Sequence, residues 1–432
     1  MTAVISYTLD EVIKDVFGGI GDAKLRNMAE TCLRSTLDTT VQWAEGEDPF
    51  VITGDIPAMW LRDSSSQVEP YVRFARDHAE LARLIAGVIR RQAFYIREDA
   101  YANAFNAAAN HAMGFPRDIT VKNPWVFERK FELDSLCHPV RLWWMYWRST
   151  GDRTIFTPSL SAAILRILDV METEQEHERC SPYSFRRLRA PKSDTLSRAG
   201  RGSPTAENTG LVWSGFRPSD DACRYHYLIP ALMFATVALD MLEELLDEGF
   251  AGHAQETRIA RLKQTVADGV AAHATVAHPV YGAIWAYETD GLGHHLLMDD
   301  ANVPSLLSLP YLGYCPKDDP QYLRTRRFIL SEANPYFYAG KAGAGVGSPH
   351  TPQRRFWPIA VAIQGLTSTS EAEMRACIDL LVRTDAGTGV MHESVDVDDP
   401  AKFTRPWFAW ANSLFAELVL RSLGVPSIER NP

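Results

Sequence analysis

The chain has 432 residues, of which 46% are hydrophobic, and a formal net charge of −10 at pH 7. Because the balance is acidic and the basic residues are scattered, a nucleic-acid partner is not expected. No run of about 18 consecutive apolar residues occurs, so no membrane-spanning helix is predicted. The first residues lack the pattern of a secretory signal and the six cysteines lack zinc-binding spacing, so we expect a cytoplasmic protein with free thiols.

Helical periodicity dominates the chain. In residues 228–246 the apolar residues recur three or four positions apart, as they do along one face of a helix. The same spacing predicts further helices over 22–42, 78–98, 128–150, 158–178, 255–277, 318–331, 354–366, 370–384 and 403–422, with shorter ones near 9–17, 64–74 and 302–312. Alternation typical of strands occurs mainly in WVFERKFEL and YGAIWAYET.

Long segments rich in Gly, Pro, aromatic and charged residues separate the helices. They span 50–63, 111–127, 209–221, 281–304, 333–358 and 386–407. About a dozen helices that alternate with such loops predict an all-α (α/α)6 toroid, a barrel of two helix rings whose loops form a central pocket at one end. We expect residues 1–432 to be a single catalytic domain. A helical solenoid is the rival architecture, but no repeat of roughly 30–50 residues is present.

Residues 181–210 differ in composition from the rest of the chain. This segment, SPYSFRRLRAPKSDTLSRAGRGSPTAENTG, is rich in Ser, Gly, Pro and Arg. Such a composition indicates a flexible linker or a domain boundary, whereas long loops in compact domains often act as lids. Because no second core follows, we interpret residues 181–210 as a flexible loop or lid.

The stretch TGDIPAMWLRDSSSQVEPY concentrates charge just before a predicted helix. It places Asp55, Trp60, Arg62 and Asp63 within nine positions. A surface turn and the wall of a pocket for a polar ligand both account for this grouping. Arg and Asp side chains hold hydroxyl groups through charge-assisted hydrogen bonds, but this does not decide between the two interpretations. The family resemblance described below implies the pocket wall, with the helix starting near residue 64.

Two other segments carry candidate catalytic acids. In WSGFRPSDD, Ser219 or Asp220 is a possible cap for the following helix, yet a cap needs one acid and this segment has two, Asp220 and Asp221. In GVMHESVDVDD, Glu393 has small or apolar neighbours, and such surroundings shift the pKa of a carboxyl group. Two carboxyl groups from distant loops that face one pocket are what glycoside hydrolysis requires.

The loops also contain aromatic residues suited to sugar faces and polar residues suited to sugar hydroxyls. The predicted substrate-binding residues are Asp55, Trp60, Arg62, Asp63, Glu132, Asp134, Trp213, Asp221, Asp300, Asn302, His350 and Trp357. Further aromatic candidates are Trp125, Trp407 and Trp410. Any one aromatic residue is more often part of the core than a platform, so the prediction depends on their accumulation in loops.

Other chemistries have weaker signals. His294 and His295 with Asp299 and Asp300 suggest a metal, but adjacent histidines point apart on regular structure. The Gly-rich run AGKAGAGVGSPHTP has no Walker lysine-serine pair and no βαβ frame, so nucleotide binding is not predicted. No GxSxG nucleophile elbow is present.

Seven segments resemble the signature blocks of glycoside hydrolase family 125. They are TGDIPAMWLRDSSSQVEPY, FERKFELDSLCHP, WSGFRPSDDA, MDDANVPSLLSLPYLG, GVGSPHTP, MHES and RPWFAWANSLF, which occur in this order over nearly the whole chain. The resemblance implies an (α/α)6 barrel and an exo-acting α-1,6-mannosidase that inverts the anomeric centre without a metal or other cofactor. It makes Asp220 the general acid and Glu393 the general base. The residues by themselves do not separate Asp220 from Asp221.

These roles carry physical requirements. Asp220 must be protonated when the substrate arrives, so we expect its pKa to be raised by burial or by Asp221. Glu393 must be ionised and hold a water on the opposite face of the sugar. For inversion the two carboxyl groups should lie roughly 6.5–9.5 Å apart, whereas a separation of about 5 Å would indicate retention.

The expected partner is a mannose-containing oligosaccharide, and the expected assembly is a monomer or weak homo-oligomer. Rival functions are a calcium-dependent α-mannosidase or another glycosidase on the same toroid, and a catalytically silent sugar-binding toroid. The presence of both Asp220 and Glu393 disfavours a silent protein. A terpene-cyclase-like toroid would need a DxDD or DDxxD acid cluster, which SDDACRYHY does not supply.

Overall fold

Helices make up most of the regular structure in the computed structural model, which describes residues 2–43, 48–247 and 253–430. The α-helices are α1 Thr2–Phe17, α2 Ala23–Ser35, α3 Leu61–Val68, α4 Ala79–Glu98, α5 Asp134–Thr150, α6 Pro158–Glu174, α7 His177–Cys180, α8 Ile229–Asp247, α9 His253–His273, α10 Leu309–Leu312, α11 Pro320–Ile329, α12 Pro358–Leu366, α13 Glu371–Arg383 and α14 Ala409–Ser422. None of them, within these ranges, is long and apolar enough to cross a membrane.

Two rings account for twelve of the helices in the described ranges, and the chain alternates between the rings. The inner ring contains α3, α5, α8, α10, α12 and α14, and the outer ring contains α2, α4, α6, α9, α11 and α13. Within the inner ring α3 packs on α5 and α14, and α8 packs on α5 and α10. Outer helices cover them, as α9 covers α8 and α13 covers α12. The predicted all-α (α/α)6 toroid is confirmed.

The inner helices are enclosed on all sides, which is clearest in α3. All eight of its residues, LRDSSSQV, are buried although most are polar. Gln92 of α4 donates hydrogen bonds to Ser64 Oγ at 3.0 Å and Ser65 Oγ at 2.9 Å. Gln67 donates to the carbonyl oxygen of Ile52 at 3.0 Å. These partners satisfy groups whose burial would otherwise destabilise the fold.

Short strands organise the loops between the helices. They are β1 Val41–Gln42, β2 Phe50–Val51, β3 Met59–Trp60, β4 Ala104–Phe105, β5 Val126–Glu128, β6 Tyr227–Leu228, β7 Thr275–His278, β8 Gly282–Trp285, β9 Glu288–Thr289, β10 His295–Leu296, β11 Phe337–Ala339, β12 Ala344–Val346, β13 Arg355–Phe356, β14 Ser394–Asp396 and β15 Phe403–Thr404. Both predicted strand regions contain strands. Most of the others are two or three residues long, too short for alternation to reveal them.

Three antiparallel three-stranded sheets lie directly before inner helices. Their strand orders are β3-β4-β5, β10-β9-β6 and β13-β14-β15. Strands β3 and β6 lead straight into α3 and α8, β13 is followed by α12, and β15 is followed by α14. The sheets therefore hold the loops at the N-terminal ends of the inner helices, at one end of the toroid.

The ring closes where the loop before α3 meets the loop before α14. Gly54 forms a β-bridge with Phe408, and the Ala409 amide donates to the Thr53 carbonyl oxygen at 3.1 Å. Gly54 has φ +130°, and a Cβ atom there would lie 2.5 Å from the Trp407 carbonyl oxygen. Only glycine permits both the conformation and the close approach.

Several predicted helices begin earlier in the sequence than the observed ones. The ranges 128–150 and 403–422 shorten to α5 from Asp134 and α14 from Ala409, and 302–312 shortens to α10. Conversely, α3 starts at Leu61, three residues before the predicted start. The loop residues before inner helices are apolar and buried in the wall of the toroid, so their pattern resembles a helix without forming one.

Residues 181–210 contain no long helix and are packed against the barrel. Tyr183 and Phe185 are fully buried, and Tyr183 donates its hydroxyl hydrogen to the Arg129 carbonyl oxygen at 2.9 Å. Ile119 and Arg186 exchange backbone hydrogen bonds of 2.8 and 3.0 Å. The predicted flexible loop or lid is therefore anchored near its start, and its mobility stays a prediction.

Hydrogen exchange will separate an anchored wall from a mobile lid. We expect slow exchange of the Phe185 and Arg186 amides, because they donate to the carbonyl oxygens of Gly200 and Ile119 at 3.0 Å each. The exposed amide of Arg189 should exchange fast and serves as the internal control. Uniformly fast exchange over 181–210, with slow exchange in α8, would support the lid instead.

Candidate active site

A central cavity of about 140 Å³ lies at the N-terminal ends of the inner helices. Its lining comes from segments that precede or begin α3, α8, α12 and α14, together with the loop before α10. The lining residues are Thr53, Ile56, Trp60, Arg62, Asp63, Pro218, Ser219, Asp220, Asn302, His350, Trp357, Glu393, Arg405, Phe408 and Trp410. Eight of the predicted site residues are in this set, so the loops converge as the sequence predicts.

Asp220 is held in the cavity wall by its backbone. Its φ is +68°, an uncommon conformation for a residue other than glycine. The Asp220 amide donates to the Arg217 carbonyl oxygen at 2.9 Å, and Lys130 Nζ donates to the Asp220 carbonyl oxygen at 2.8 Å. Helix α8 begins only at Ile229, so the interpretation of Asp220 as a helix cap is wrong.

Glu132 lies behind Asp220 and is buried. Arg62 Nη1 and Ser135 Oγ donate to Glu132 Oε2 at 2.5 and 2.8 Å. Asn103 Nδ2 lies 3.4 Å from both Glu132 Oε1 and Asp220 Oδ1, and the two carboxyl groups hydrogen-bond to each other. Asp220 and Glu132 therefore form a carboxyl pair, of which only Asp220 reaches the central cavity.

The pKa values of Glu132 and Asp220 are shifted in opposite directions. Burial raises the pKa of Glu132 well above its ordinary value. Burial also acts to raise the pKa of Asp220, but the charges of Lys130 and Arg62 and the hydrogen bond from Glu132 outweigh it and lower that pKa to about 2. The predicted rise in the pKa of Asp220 is wrong for this structure. These opposite pKa shifts favour a proton on Glu132, donated in a hydrogen bond to Asp220.

Arg62 occupies the centre of a buried charge cluster, the Arg62 cluster, which consists of Arg62, Asp63, Glu132 and Asp134. Arg62 Nη1 lies 3.4 Å from Asp134 Oδ2, and Arg62 Nε lies 3.4 Å from Asp63 Oδ2. Burial raises the pKa of Asp134 to about 6. Glu132 and Asp134 do not line the cavity, so their predicted direct contact with substrate is corrected to support of Arg62 from behind.

Glu393 approaches the central cavity from the segment before α14. Its amide donates to the Thr404 carbonyl oxygen at 3.2 Å, at the start of β14, and Arg405 Nη1 lies 3.7 Å from its Oε1. Arg405 also binds Asp55, with Nε 2.9 Å from Asp55 Oδ1. Asp55 thus lies outside the cavity lining and orients Arg405, whereas a direct sugar contact was predicted for it.

Asp221 and His350 form an ion pair at the edge of the cavity, with His350 Nδ1 3.2 Å from Asp221 Oδ1. Burial opposes the charged imidazolium, but the hydrogen bond and charge of Asp221, with Asp220 and Glu393, raise the pKa of His350 to about 9. His350 is therefore a cationic donor at neutral pH. It lines the cavity, whereas Asp221 lies behind it.

The loop before α10 braces the segment that carries Asp220. Ser219 Oγ donates to Asp300 Oδ2 at 2.7 Å, and Asn302 Nδ2 donates to the Pro218 carbonyl oxygen at 3.2 Å. Asp300 is buried and does not line the cavity, so its predicted sugar contact is corrected to a supporting role. Asn302 does reach the cavity.

Two buried oxygen atoms of cavity residues have no hydrogen-bond partner among the described residues, Asp63 Oδ2 and Asn302 Oδ1. Buried acceptors without a partner are uncommon and destabilise a fold. Trp60 and Trp410 flank them with apolar surface.

Trp213 is part of the core and not of the cavity. It is fully buried and stacks on His177 with ring centroids 3.7 Å apart and on His226 at 4.7 Å. The predicted contact between Trp213 and substrate is therefore wrong. The sequence of WSGFRP predicts that Trp213 is either packed or binding. Its spatial neighbours, which come from α7 and the segment before β6, show that it is packed.

Sequence reasoning missed several residues that shape the site, namely Asn103, Lys130, Arg405 and Phe408. Lys130 and Arg405 occur in FERKFEL and RPWFAW, two of the segments used for the family resemblance. Their charge within a family motif could have marked them as site residues. Asn103 lies in YANAF, where no pattern marks it. Within the described ranges no group of three or more His, Cys, Asp or Glu could hold a metal ion.

Comparison with known proteins gives one family. Residues 22–420 match the family model described as metal-independent α-mannosidase (GH125). The meiotically up-regulated gene 157 protein of Schizosaccharomyces pombe is 43% identical, over 99% of this chain and 87% of that protein.

Solved structures agree. A metal-independent α-mannosidase of Streptococcus pneumoniae, in a non-productive complex with α-1,6-mannobiose, has a TM-score of 0.94 and 44% identity, over 98% of this chain and 99% of that one. A bacterial glucoamylase complexed with acarbose has a TM-score of 0.56 and 13% identity, over 95% of this chain and 57% of that one. This second likeness supports the fold alone.

The ion pair of His350 predicts a pH dependence of stability. Since the folded pKa of about 9 exceeds the ordinary value of 6.5, the pair stabilises the fold fully below pH 6.5 and loses this effect as the pH rises to about 9. Urea unfolding from pH 6 to 9.5 should therefore show a fall in the free energy of unfolding that is absent in His350→Gln. His111→Gln, at an exposed histidine, is the control. Equal slopes in wild type and His350→Gln would contradict the assignment.

Proposed function

Because the chain belongs to glycoside hydrolase family 125, the metal-independent α-mannosidases, we propose that it releases terminal mannose from α-1,6-linked manno-oligosaccharides or N-glycan fragments, with inversion. The observation that carries this proposal is the central cavity, into which Asp220 and Glu393 project from different segments of the toroid. The small volume of that cavity supports exo action on one terminal sugar.

Asp220 serves as the general acid, supplied by its partner Glu132. Glu132 holds the proton of the pair, but it is buried and does not reach the cavity. When the glycosidic oxygen lies against Asp220, Glu132 passes its proton to Asp220, and Asp220 donates a proton to the glycosidic oxygen. Both carboxyl groups are then ionised until solvent returns a proton to the pair. The bond between C1 and the glycosidic oxygen breaks, and the leaving sugar departs as an alcohol.

Glu393 serves as the general base. It takes one proton from a water whose oxygen bonds to C1 on the face opposite the leaving group, which gives β-mannose from an α-linkage. Arg405, with Nη1 3.7 Å from Glu393 Oε1, orients Glu393. For this water to fit, the carboxyl groups of Asp220 and Glu393 should lie roughly 6.5–9.5 Å apart.

The terminal sugar is held by the polar groups that line the cavity. Asp63 and Asn302 line the cavity and accept hydrogen bonds from sugar hydroxyl groups through their side-chain oxygens. The charged His350 and Arg405 donate to sugar oxygens, and Trp60 and Trp410 pack against carbon faces. This arrangement suits an uncharged, hydroxyl-rich ligand.

Proton NMR of α-1,6-mannobiose hydrolysis in the presence of a chelator tests substrate, stereochemistry and metal independence together. We expect the β-mannose signal to appear before mutarotation, because Glu393 activates water rather than attacking C1. Glu393→Gln should lower kcat by about 10²–10⁴-fold, as expected for loss of a general base, with an unchanged circular dichroism spectrum.

Each of the other outcomes would contradict one part of the proposed function. An initial α-mannose signal would make Glu393 a nucleophile and overturn inversion. Activity lost with the chelator and restored by calcium would favour the calcium-dependent rival. Binding of mannobiose without cleavage, under all these conditions, would favour a silent sugar-binding toroid.

Asp63→Asn tests the role of the Asp63 carboxylate in binding the terminal sugar. We expect kcat/KM on α-1,6-mannobiose to fall by about 10- to 150-fold, since a hydrogen bond to a charged group contributes about 1.5–3 kcal/mol. The matched control is Asp398→Asn, an exposed aspartate paired with Arg354 outside the site, which should leave kcat/KM unchanged. Near-normal kcat/KM in folded Asp63→Asn would make this stretch a structural wall without a binding role.

Compartment and assembly remain proposals. We infer a cytoplasmic enzyme, a monomer or weak homo-oligomer, that acts on mannose-containing oligosaccharides and binds neither nucleic acid nor membrane. All six cysteines are free in the structure, and Cys180 is exposed, which suits a reducing compartment.

A further inference from the structure

A second cavity, the outer cavity, adjoins the central cavity. Its volume is about 430 Å³, roughly three times that of the central one. Ile56, Trp60, Asp220 and His350 line both cavities, so the two spaces meet at these residues. Glu393 lines only the central cavity, whereas Asp221 lines only the outer one.

The position of Asp220 defines what the outer cavity faces. In the proposed reaction the general acid protonates the leaving oxygen, and the general base acts from the opposite side. Asp220 is common to both cavities and Glu393 belongs to one, so the outer cavity lies on the leaving-group side of the cleaved bond. Its larger volume leaves room for more than the one sugar that departs from mannobiose.

An exposed aromatic ring forms part of the outer cavity. Phe115 is 51% exposed, and the guanidinium carbon of Arg187 lies 3.6 Å from the centroid of its ring. A cation at this distance over a ring is strongly attracted to it and holds the ring in place. One face of Phe115 is thus covered by Arg187, and the exposure of the side chain leaves apolar surface open to the cavity.

Arg187 is itself held by three carboxylates. Its Nη2 atom lies 2.7 Å from both Asp118 Oδ2 and Glu128 Oε1, and its Nη1 lies 3.1 Å from Asp194 Oδ2. Arg187 is only 6% exposed. Buried charges are stable together only when their ion pairs and hydrogen bonds are well formed. Arg187 is therefore held rigidly, and so is the Phe115 ring that packs on it.

We propose that Phe115, supported by Arg187, is a sugar-binding platform for a mannose at least one residue beyond the leaving sugar. The carbon face of a pyranose packs on an aromatic ring, and the polar groups of Lys130, Asp194 and Asp221 around the cavity suit its hydroxyl groups. The segment 181–210 supplies Arg187 and Asp194, so it forms one wall of this platform. The proposal rests on the proposed function, because it extends the substrate beyond a disaccharide.

The test compares kcat/KM for α-1,6-linked mannobiose, mannotriose and mannotetraose. For the wild type we expect a rise of roughly three- to tenfold from the disaccharide to a longer substrate, the size of an aromatic contact. Phe115→Ala should remove that rise and keep the rate on mannobiose within about twofold, whereas Phe115→Tyr should retain it. Val280→Ala, at an exposed residue on the β7–β8 hairpin, is the control.

The outcomes separate this proposal from the proposed function. If the wild type cleaves mannobiose but shows no gain with chain length, the platform is absent and the activity stands. If Phe115→Ala lowers the rates on all three substrates equally, Phe115 supports the catalytic centre and binds no further sugar, which also overturns the platform. If the wild type cleaves none of them, the proposed function itself fails.

Discussion

The buried guanidinium of Arg62 is the interaction on which the arrangement of the site depends. It joins α3 to Glu132, in the segment before α5, and to Asp134, the first residue of α5, and it lies over the ring of Trp410 in α14 at 5.6 Å. The Arg62 guanidinium therefore links three inner helices, α3, α5 and α14. Removal of a partner from such a cluster leaves an uncompensated buried charge, which destabilises a protein by about 3–5 kcal/mol. The same guanidinium acts on Asp220, so fold and catalysis share this contact.

The alternation of the chain between two rings explains why the site lies where it does. Successive helices run in opposite directions, so all inner helices present their N-terminal ends at one end of the toroid. These ends carry partial positive charge and unpaired amide groups, which favours carboxylates such as Asp63 and Asp134 in the first turns of α3 and α5. Loops that precede the inner helices can therefore bring many acids together without metal ions to balance them.

Fold and site differ in how far local sequence predicts them. Helix periodicity predicted most helices of the toroid, because their apolar residues recur at helical spacing, although the mostly polar α3 is buried on all sides. The loops have no such periodicity. Trp213 and Trp60 both occur in loops rich in Gly, Pro, aromatic and charged residues, yet only Trp60 lines the cavity. The composition of residues 181–210 predicts a flexible loop, but the buried side chains of Tyr183 and Phe185 anchor this segment. These two aromatic residues, the backbone hydrogen bonds between Ile119 and Arg186 and the ion pairs of Arg187 attach the segment to the barrel. The average composition of the segment does not reveal such contacts.

The sequence by itself determined the helical toroid, the family and the two segments that hold Asp220 and Glu393, because periodicity and motif order are local or linear properties of the chain. Only the tertiary structure decided that the pKa values of Glu132 and Asp220 shift in opposite directions, that Asp55 acts through Arg405, and that Asp300 braces Ser219. The physical reason is that a pKa or a hydrogen bond depends on burial and on charges within a few ångströms. Those neighbours come from segments tens to hundreds of residues apart, which only the closed toroid brings together.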